Sequence, residues 1–124
     1  MVNPSTLVAV IDDDESVRES LPDLLQELGY TSRAFASAEE FLASGFIAEA
    51  RCLILDIAMP GLSGPELHRE LIRQGYTTPV IFITALTGKR VRTELVQHGP
   101  VAILSKPFSE HDLRAALASA LPGS

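Results

Sequence analysis

Residues 7–15, Leu7-Val8-Ala9-Val10-Ile11-Asp12-Asp13-Asp14-Glu15, set five apolar side chains directly against four acids. An apolar run without polar alternation reads as a strand buried on both faces, the habit of a parallel sheet covered by helices. Three more runs repeat it: Cys52-Leu53-Ile54-Leu55, Val80-Ile81-Phe82-Ile83 and Val101-Ala102-Ile103-Leu104. A weaker strand, Tyr30 to Phe35, carries Thr31 and Arg33 at alternate positions and suits a half-exposed edge.

Helical patterns separate these runs. Val17, Leu21, Leu24, Leu25 and Leu28 recur at helical spacing up to Gly29, with Pro22 predicting a kink or a late start. Ser37-Ala38-Glu39-Glu40 reads as a capping box ahead of Phe41 and Leu42. Ser63-Gly64-Pro65 opens a third helix through Leu67, Leu71 and Ile72, stopped by Gly75. A short, poorly capped fourth covers roughly Lys89 to Gln97, with Val91, Leu95 and Val96 inward. Ser109 starts the last, whose buried stripe is Leu113, Ala116, Leu117, Ala120 and Leu121. Five alternations of strand and helix with short loops, joined by right-handed crossovers, predict one doubly wound α/β domain.

At 124 residues the chain is long enough for one domain with a self-sufficient core. Ten basic against sixteen acidic residues leave a charge of −6, the wrong sign for a nucleic-acid surface. Cys52 is the single cysteine, so neither an intrachain disulfide nor a cysteine zinc site is available. No apolar stretch reaches the ~20 residues of a membrane span and no signal peptide opens the chain, so the expected setting is the cytoplasm. The tail Pro122-Gly123-Ser124 reads either as a natural end or as the start of a linker.

Ligands of open parallel sheets bind beyond the carboxyl ends of the strands. After the first run come Asp12 to Glu15, after the second Asp56, after the third Thr84, and after the fourth Ser105-Lys106-Pro107. Three carboxylates, a hydroxyl and one of only two lysines thus converge on one edge. Close carboxylates repel, and a hard divalent cation such as Mg2+ relieves them while keeping sites for water and phosphate oxygen. Cation, ammonium and hydroxyl together suit a transferred phosphoryl group, with one carboxylate as nucleophile. Taken singly, Asp14 reads equally well as a helix N-cap, and Thr84 and Lys106 as structural; the joint placement carries the functional reading.

The strings Val10-Ile11-Asp12-Asp13-Asp14-Glu15-Ser16-Val17-Arg18, Leu55-Asp56-Ile57-Ala58-Met59-Pro60-Gly61-Leu62-Ser63-Gly64, Val80-Ile81-Phe82-Ile83-Thr84-Ala85 and Ser105-Lys106-Pro107-Phe108 resemble response regulator receiver domains. The likeness is to the FixJ-type branch of the CheY-like superfamily and spans essentially the whole chain. It implies a five-stranded flavodoxin-like sheet in the order 2-1-3-4-5. By the same resemblance Asp56 is the phosphoacceptor, served by the phosphohistidine of a sensor histidine kinase. Asp12 and Asp13 hold Mg2+ (or Mn2+), with Asp56 and the Ala58 backbone carbonyl completing the protein ligands. Lys106 pairs with the phosphoryl oxygens, Thr84 is the switch hydroxyl, Ala85 leaves room for the phosphate, and the bond before Pro107 is cis.

The family reads its switch out through the face of helix four, strand five and helix five, by dimerising or meeting an output domain. Lys89, Arg90 and Arg92 make that neighbourhood basic, which a plain solvated face explains as well. A DNA-binding output domain beyond Ser124, and hence transcription control, is implied by the resemblance alone. The receiver itself makes no nucleic-acid or membrane contact and is a signalling module rather than an enzyme with its own small-molecule substrate.

Three positions depart from the family pattern. Ile103 replaces the usual aromatic residue three before the lysine, so the ring half of the switch is missing. Leu86 and Ala58 stand where many relatives have polar side chains that orient water, which predicts slow hydrolysis of the phosphoaspartate. Other readings stay in play. One is a receiver that is folded but not phosphorylated and acts as a constitutive interaction module. Another is a phosphohydrolase of the haloacid-dehalogenase type, which Asp12-Asp13-Asp14 fits superficially, although it leaves Asp56 unexplained. A flavodoxin-like FMN site is excluded by the four acids where its phosphate loop would be.

Overall fold

The computed structural model describes residues 6–85 and 88–122. The elements are β1 (Leu7–Ile11), α1 (Glu15–Glu27), β2 (Thr31–Phe35), α2 (Ala38–Ala43), β3 (Ala50–Asp56), α3 (Gly64–Arg73), β4 (Val80–Thr84), α4 (Lys89–Val96), β5 (Ala102–Ser105) and α5 (Glu110–Ala120). All strand pairs are parallel, in the order β2-β1-β3-β4-β5. No described helix is long and apolar enough to cross a membrane.

Strand alternation sends successive side chains to opposite faces, and here both faces are covered. Val8, Val10, Cys52, Ile54, Ile81 and Ile83 pack under α1 and α5 with Leu21, Leu25, Leu113 and Leu117. The intervening Ala9, Ile11, Leu53, Leu55 and Phe82 pack on the other side with Phe41, Leu67, Leu71 and Leu95 of α2, α3 and α4. The unbroken apolar runs follow from this double burial. Cys52 is fully buried, and loss of solvation pushes its thiol up to about 12, which keeps it protonated.

Three expectations need correction, and of the two alternatives at Pro22 the late start falls away. Val101-Ala102-Ile103-Leu104 is not an interior strand: β5 is the sheet edge, Val101 lies outside it and is exposed, and Ala102 and Ile103 are half-buried. Val96 points outward at 58% exposure, because the eight-residue α4 has room to bury only the Leu95 row. α1 has no late start; Asp14 caps it by accepting from the Ser16 N–H, and Pro22 lies well inside. Burial of Leu21 and Leu25 on either side of Pro22 overrides its poor propensity. The Ser37 side chain caps α2 through the Glu40 N–H, but the reciprocal capping box belongs to Ser63 and Glu66 on α3.

α3 begins hard against the end of β3. A Cβ on Gly64 would lie 2.5 Å from the Asp56 carbonyl oxygen and 3.2 Å from Ile57 Cα, so only glycine permits the approach. Gly64→Ala is therefore expected to cost about 2 kcal/mol by forcing backbone apart, or about 6–10 °C in Tm at this length. Thermal unfolding followed by circular dichroism checks it, and an unchanged Tm would show that the loop between β3 and α3 gives way freely.

Candidate functional site

Register brings the polar residues together. Ile11 pairs with Leu55, so Asp12 leaves β1 level with Asp56 at the end of β3. Asp56 pairs with Ile83 and Thr84 with Ser105, which aligns the ends of β4 and β5 with that edge. The Lys106 N–H donates to the Thr84 carbonyl at 2.7 Å, and the Lys106–Pro107 bond is cis. Asp12 and Asp56 continue the strand parity that faces α1 and α5, whereas Thr84 continues the parity that faces α4.

Asp12, Asp13 and Asp56 each offer a carboxylate oxygen within 4.8 Å of the others. Asp12 and Asp56 are buried and Asp13 is exposed, so the cluster opens to solvent on one side. Lys106 Nζ lies 2.8 Å from Asp12 Oδ2 and 3.7 Å from Asp56 Oδ2. The Asp12 contact is an ion pair, and among the described residues no donor meets hydrogen-bond geometry at its buried Oδ2. Arg18 Nη1 donates to the Asp12 carbonyl at 3.0 Å, and the Asp14 N–H donates to Asp12 Oδ1 at 2.9 Å.

Burial first, and then the Asp12 charge, raise Asp56 to about 7 despite the opposing pull of Lys106. Burial also pulls the Lys106 ammonium down, but the Asp12 contact and the charges of Asp12, Asp56 and Asp14 outweigh it and leave its pKa raised. Three carboxylates thus face one ammonium. Their all-oxygen donor set, excess negative charge and unaligned buried oxygen fit a hard divalent cation.

Thr84 is buried and shares with Ile103, Val91, Leu95 and Arg92 a cavity of about 170 Å³ between β4, α4 and β5. Ala58 and Ala85 are exposed at the mouth of the site; Leu86 lies outside the described residues. Beyond Ile103, a groove of about 510 Å³ runs over β5 and α5, lined by Arg92, Pro107, His111, Asp112 and Ala116 among others. The sequence pattern gives Arg18, Phe35 and Glu39 no part in the site. The Asp12 N–H donates to the Phe35 carbonyl at 3.1 Å, and Glu39 Oε2 accepts from the Leu62 N–H at 2.9 Å. Neither pairing leaves a mark in local sequence pattern.

A family model for the response regulator receiver domain matches residues 8–118. The chain is 39% identical over 114 residues to Nodulation protein W of Bradyrhizobium diazoefficiens, covering 92% of this chain and 50% of that protein. It is 38% identical over 114 residues to the transcriptional regulatory protein FixJ of Azorhizobium caulinodans, covering 92% and 54%. Among solved structures, the response regulator StyR superposes with a TM-score of 0.85 at 37% identity, covering 94% of this chain and 59% of that one. FixJ-N superposes with a TM-score of 0.83 at 34% identity, covering 97% and 94%. The chain spans about half the length of the curated relatives it matches.

Proposed function

The chain belongs to the response regulator receiver family of two-component systems, and from that premise we propose that it is a switch phosphorylated on Asp56 by a sensor histidine kinase. The observation that carries this reading is the meeting of Asp12, Asp13 and Asp56 within 4.8 Å beneath the Lys106 ammonium. In the transfer an Asp56 carboxylate oxygen attacks phosphorus, a P–O bond forms, and the P–N bond to the kinase imidazole breaks with its electron pair returning to the ring. Mg2+ (or Mn2+), held by Asp12, Asp13, Asp56 and the Ala58 carbonyl, would neutralise charge on the phosphoryl oxygens. It would also hold Asp56 ionised, as nucleophilic attack requires.

Lys106 lies close enough to both buried carboxylates to meet the new phosphoryl group with little movement. Ala85, exposed and small, leaves the approach open. Thr84 is the hydroxyl that turns toward the phosphoryl group, and its cavity with Ile103 gives the aliphatic side chain somewhere to repack. That repacking reaches the α4-β5-α5 face, where a second receiver or an output domain reads it. Curated relatives include transcriptional regulators nearly twice this length, which supports an output domain that controls transcription alongside this receiver.

Intact-mass spectrometry after incubation with acetyl phosphate and Mg2+ tests the reading. One added phosphoryl group, whose formation EDTA abolishes, is the expected result. No adduct, with beryllofluoride also failing to bind, would return the chain to a phosphorylation-independent interaction module. Ala58 bears only a methyl group and, with Leu86, cannot orient an attacking water. The phosphorylated form is therefore expected to last longer than about a minute at neutral pH with Mg2+, a rate below roughly 10⁻² s⁻¹. Release of inorganic phosphate from the isolated adduct measures it, and faster decay would mean that water is positioned by other groups.

A further inference from the structure

Two of the loops that build the site carry Asp12 and Asp13 after β1 and Ala58 after β3. Both are tied to a third segment, the corner between β2 and α2. On one side the Phe35 carbonyl accepts the Asp12 N–H at 3.1 Å. On the other, Glu39 in the first turn of α2 accepts the Leu62 N–H at 2.9 Å, across 23 residues of sequence. The corner itself is anchored, since Phe35 packs edge-on against Phe41 with ring centroids 5.3 Å apart and both rings are buried.

The Glu39 contact is specific in its surroundings. The Leu62 hydrogen bond, ahead of a bond to its own backbone, holds the Glu39 carboxyl below its ordinary value. Gly61 beside it has φ +76, and a Cβ there would lie 2.6 Å from Glu39 Oε2, so the backbone turns closely around the carboxylate. Immediately afterwards the Ser63–Glu66 capping box and the close approach of Gly64 to Asp56 fix the far limb of the same loop. Residues 57–63 are thus held at their exit by α3 and at their outer turn by Glu39.

We propose that Glu39 is a positioning residue for cation binding: through Leu62 it holds the loop that presents the Ala58 carbonyl at a fixed distance from the Asp12 loop. This rests on the assignment of that carbonyl as a metal ligand. Glu39 touches neither cation nor phosphoryl group, and its effect is on the concentration of Mg2+ needed rather than on the rate at saturation.

The test compares Glu39→Ala and Glu39→Gln with the native chain. The Leu62 amide is expected to exchange faster with solvent in Glu39→Ala. Half-saturation by Mg2+ in acetyl phosphate labelling should rise about fivefold, the scale of one exposed charge-assisted hydrogen bond. The labelling rate at saturating Mg2+ should stay within about twofold, because the reacting groups are intact. Glu39→Gln keeps an acceptor oxygen and should recover most of both the exchange protection and the Mg2+ affinity. Unchanged Mg2+ dependence in Glu39→Ala, alongside normal labelling of the native chain, would overturn the inference alone. A native chain that takes no Mg2+ would overturn the phosphoacceptor reading and this inference with it.

Discussion

Asp56→Asn is expected to carry no phosphoryl group after acetyl phosphate and Mg2+ treatment, and to be more heat-stable than the native chain at pH 8 in EDTA. The first effect is a loss of the nucleophile: an amide has no anionic oxygen to attack phosphorus. The second follows from linkage. Burial and the Asp12 charge raise the folded pKa of Asp56 to about 7 from an ordinary 3.8. The folded state therefore binds a proton more tightly than the unfolded state, and stability falls as pH rises between those two values. Below about pH 4 both states are protonated and the penalty vanishes. Asparagine is neutral throughout, so the variant and native chains should agree at acid pH and separate on the way to pH 8. Lys106, 3.7 Å away, loses part of its partner in the exchange. With that loss and solvent screening, the net gain is about 2 kcal/mol. A labelled Asp56→Asn chain would place the phosphoryl group elsewhere. Equal melting temperatures at pH 8 would mean that Asp56 ionises in the fold without penalty.

The parts of this site that were legible in the sequence are those delivered by strand ends. A parallel sheet aligns the carboxyl ends of its strands, so Asp12, Asp56, Thr84 and Lys106 could be gathered from four apolar runs without knowing any contact. The sheet order followed from family likeness and matches the observed β2-β1-β3-β4-β5. What local pattern could not carry was position within the sheet: Val101-Ala102-Ile103-Leu104 is as apolar as the interior strands, yet it forms an edge, with α5 over one face and α4 over the other. Val96 failed for a related reason. It adjoins the buried Leu95 in sequence, but a helix turns 100° per residue and a single short helix covers only one row. The Glu39–Leu62 and Phe35–Asp12 bonds use backbone partners, and backbone groups are the same at every residue, so no side-chain motif could announce them.

Lys106→Met should separate the two roles of the lysine, because it moves cation binding and phosphoryl transfer in opposite directions. The ammonium lies 2.8 Å from Asp12 Oδ2 and 3.7 Å from Asp56 Oδ2, and both acids belong to the cluster that would hold Mg2+. Ammonium and cation therefore compete for the same charge, and removing the ammonium should tighten Mg2+ binding several-fold. Methionine keeps most of the stem's volume, so packing around the half-buried side chain is largely preserved. Phosphoryl transfer should nevertheless slow by about 100-fold, the usual scale for losing one charged donor at a developing anion. Without Mg2+ the variant should be about 2 kcal/mol less stable at pH 8, since two buried carboxylates lose their counter-charge. That gap should narrow as pH falls through 7, where Asp56 takes up its proton in the folded chain, and be widest above it. The raised pKa of Lys106 means its own contribution is fully present below 10.5 and fades only above that, so the gap holds through the alkaline range up to there. Calorimetric titration with Mg2+ and intact-mass time courses measure the two signs directly. If Mg2+ affinity fell together with the transfer rate, Lys106 would be a prop for the carboxylates and not their competitor, and the assignment of its charge to the phosphoryl group would have to be withdrawn.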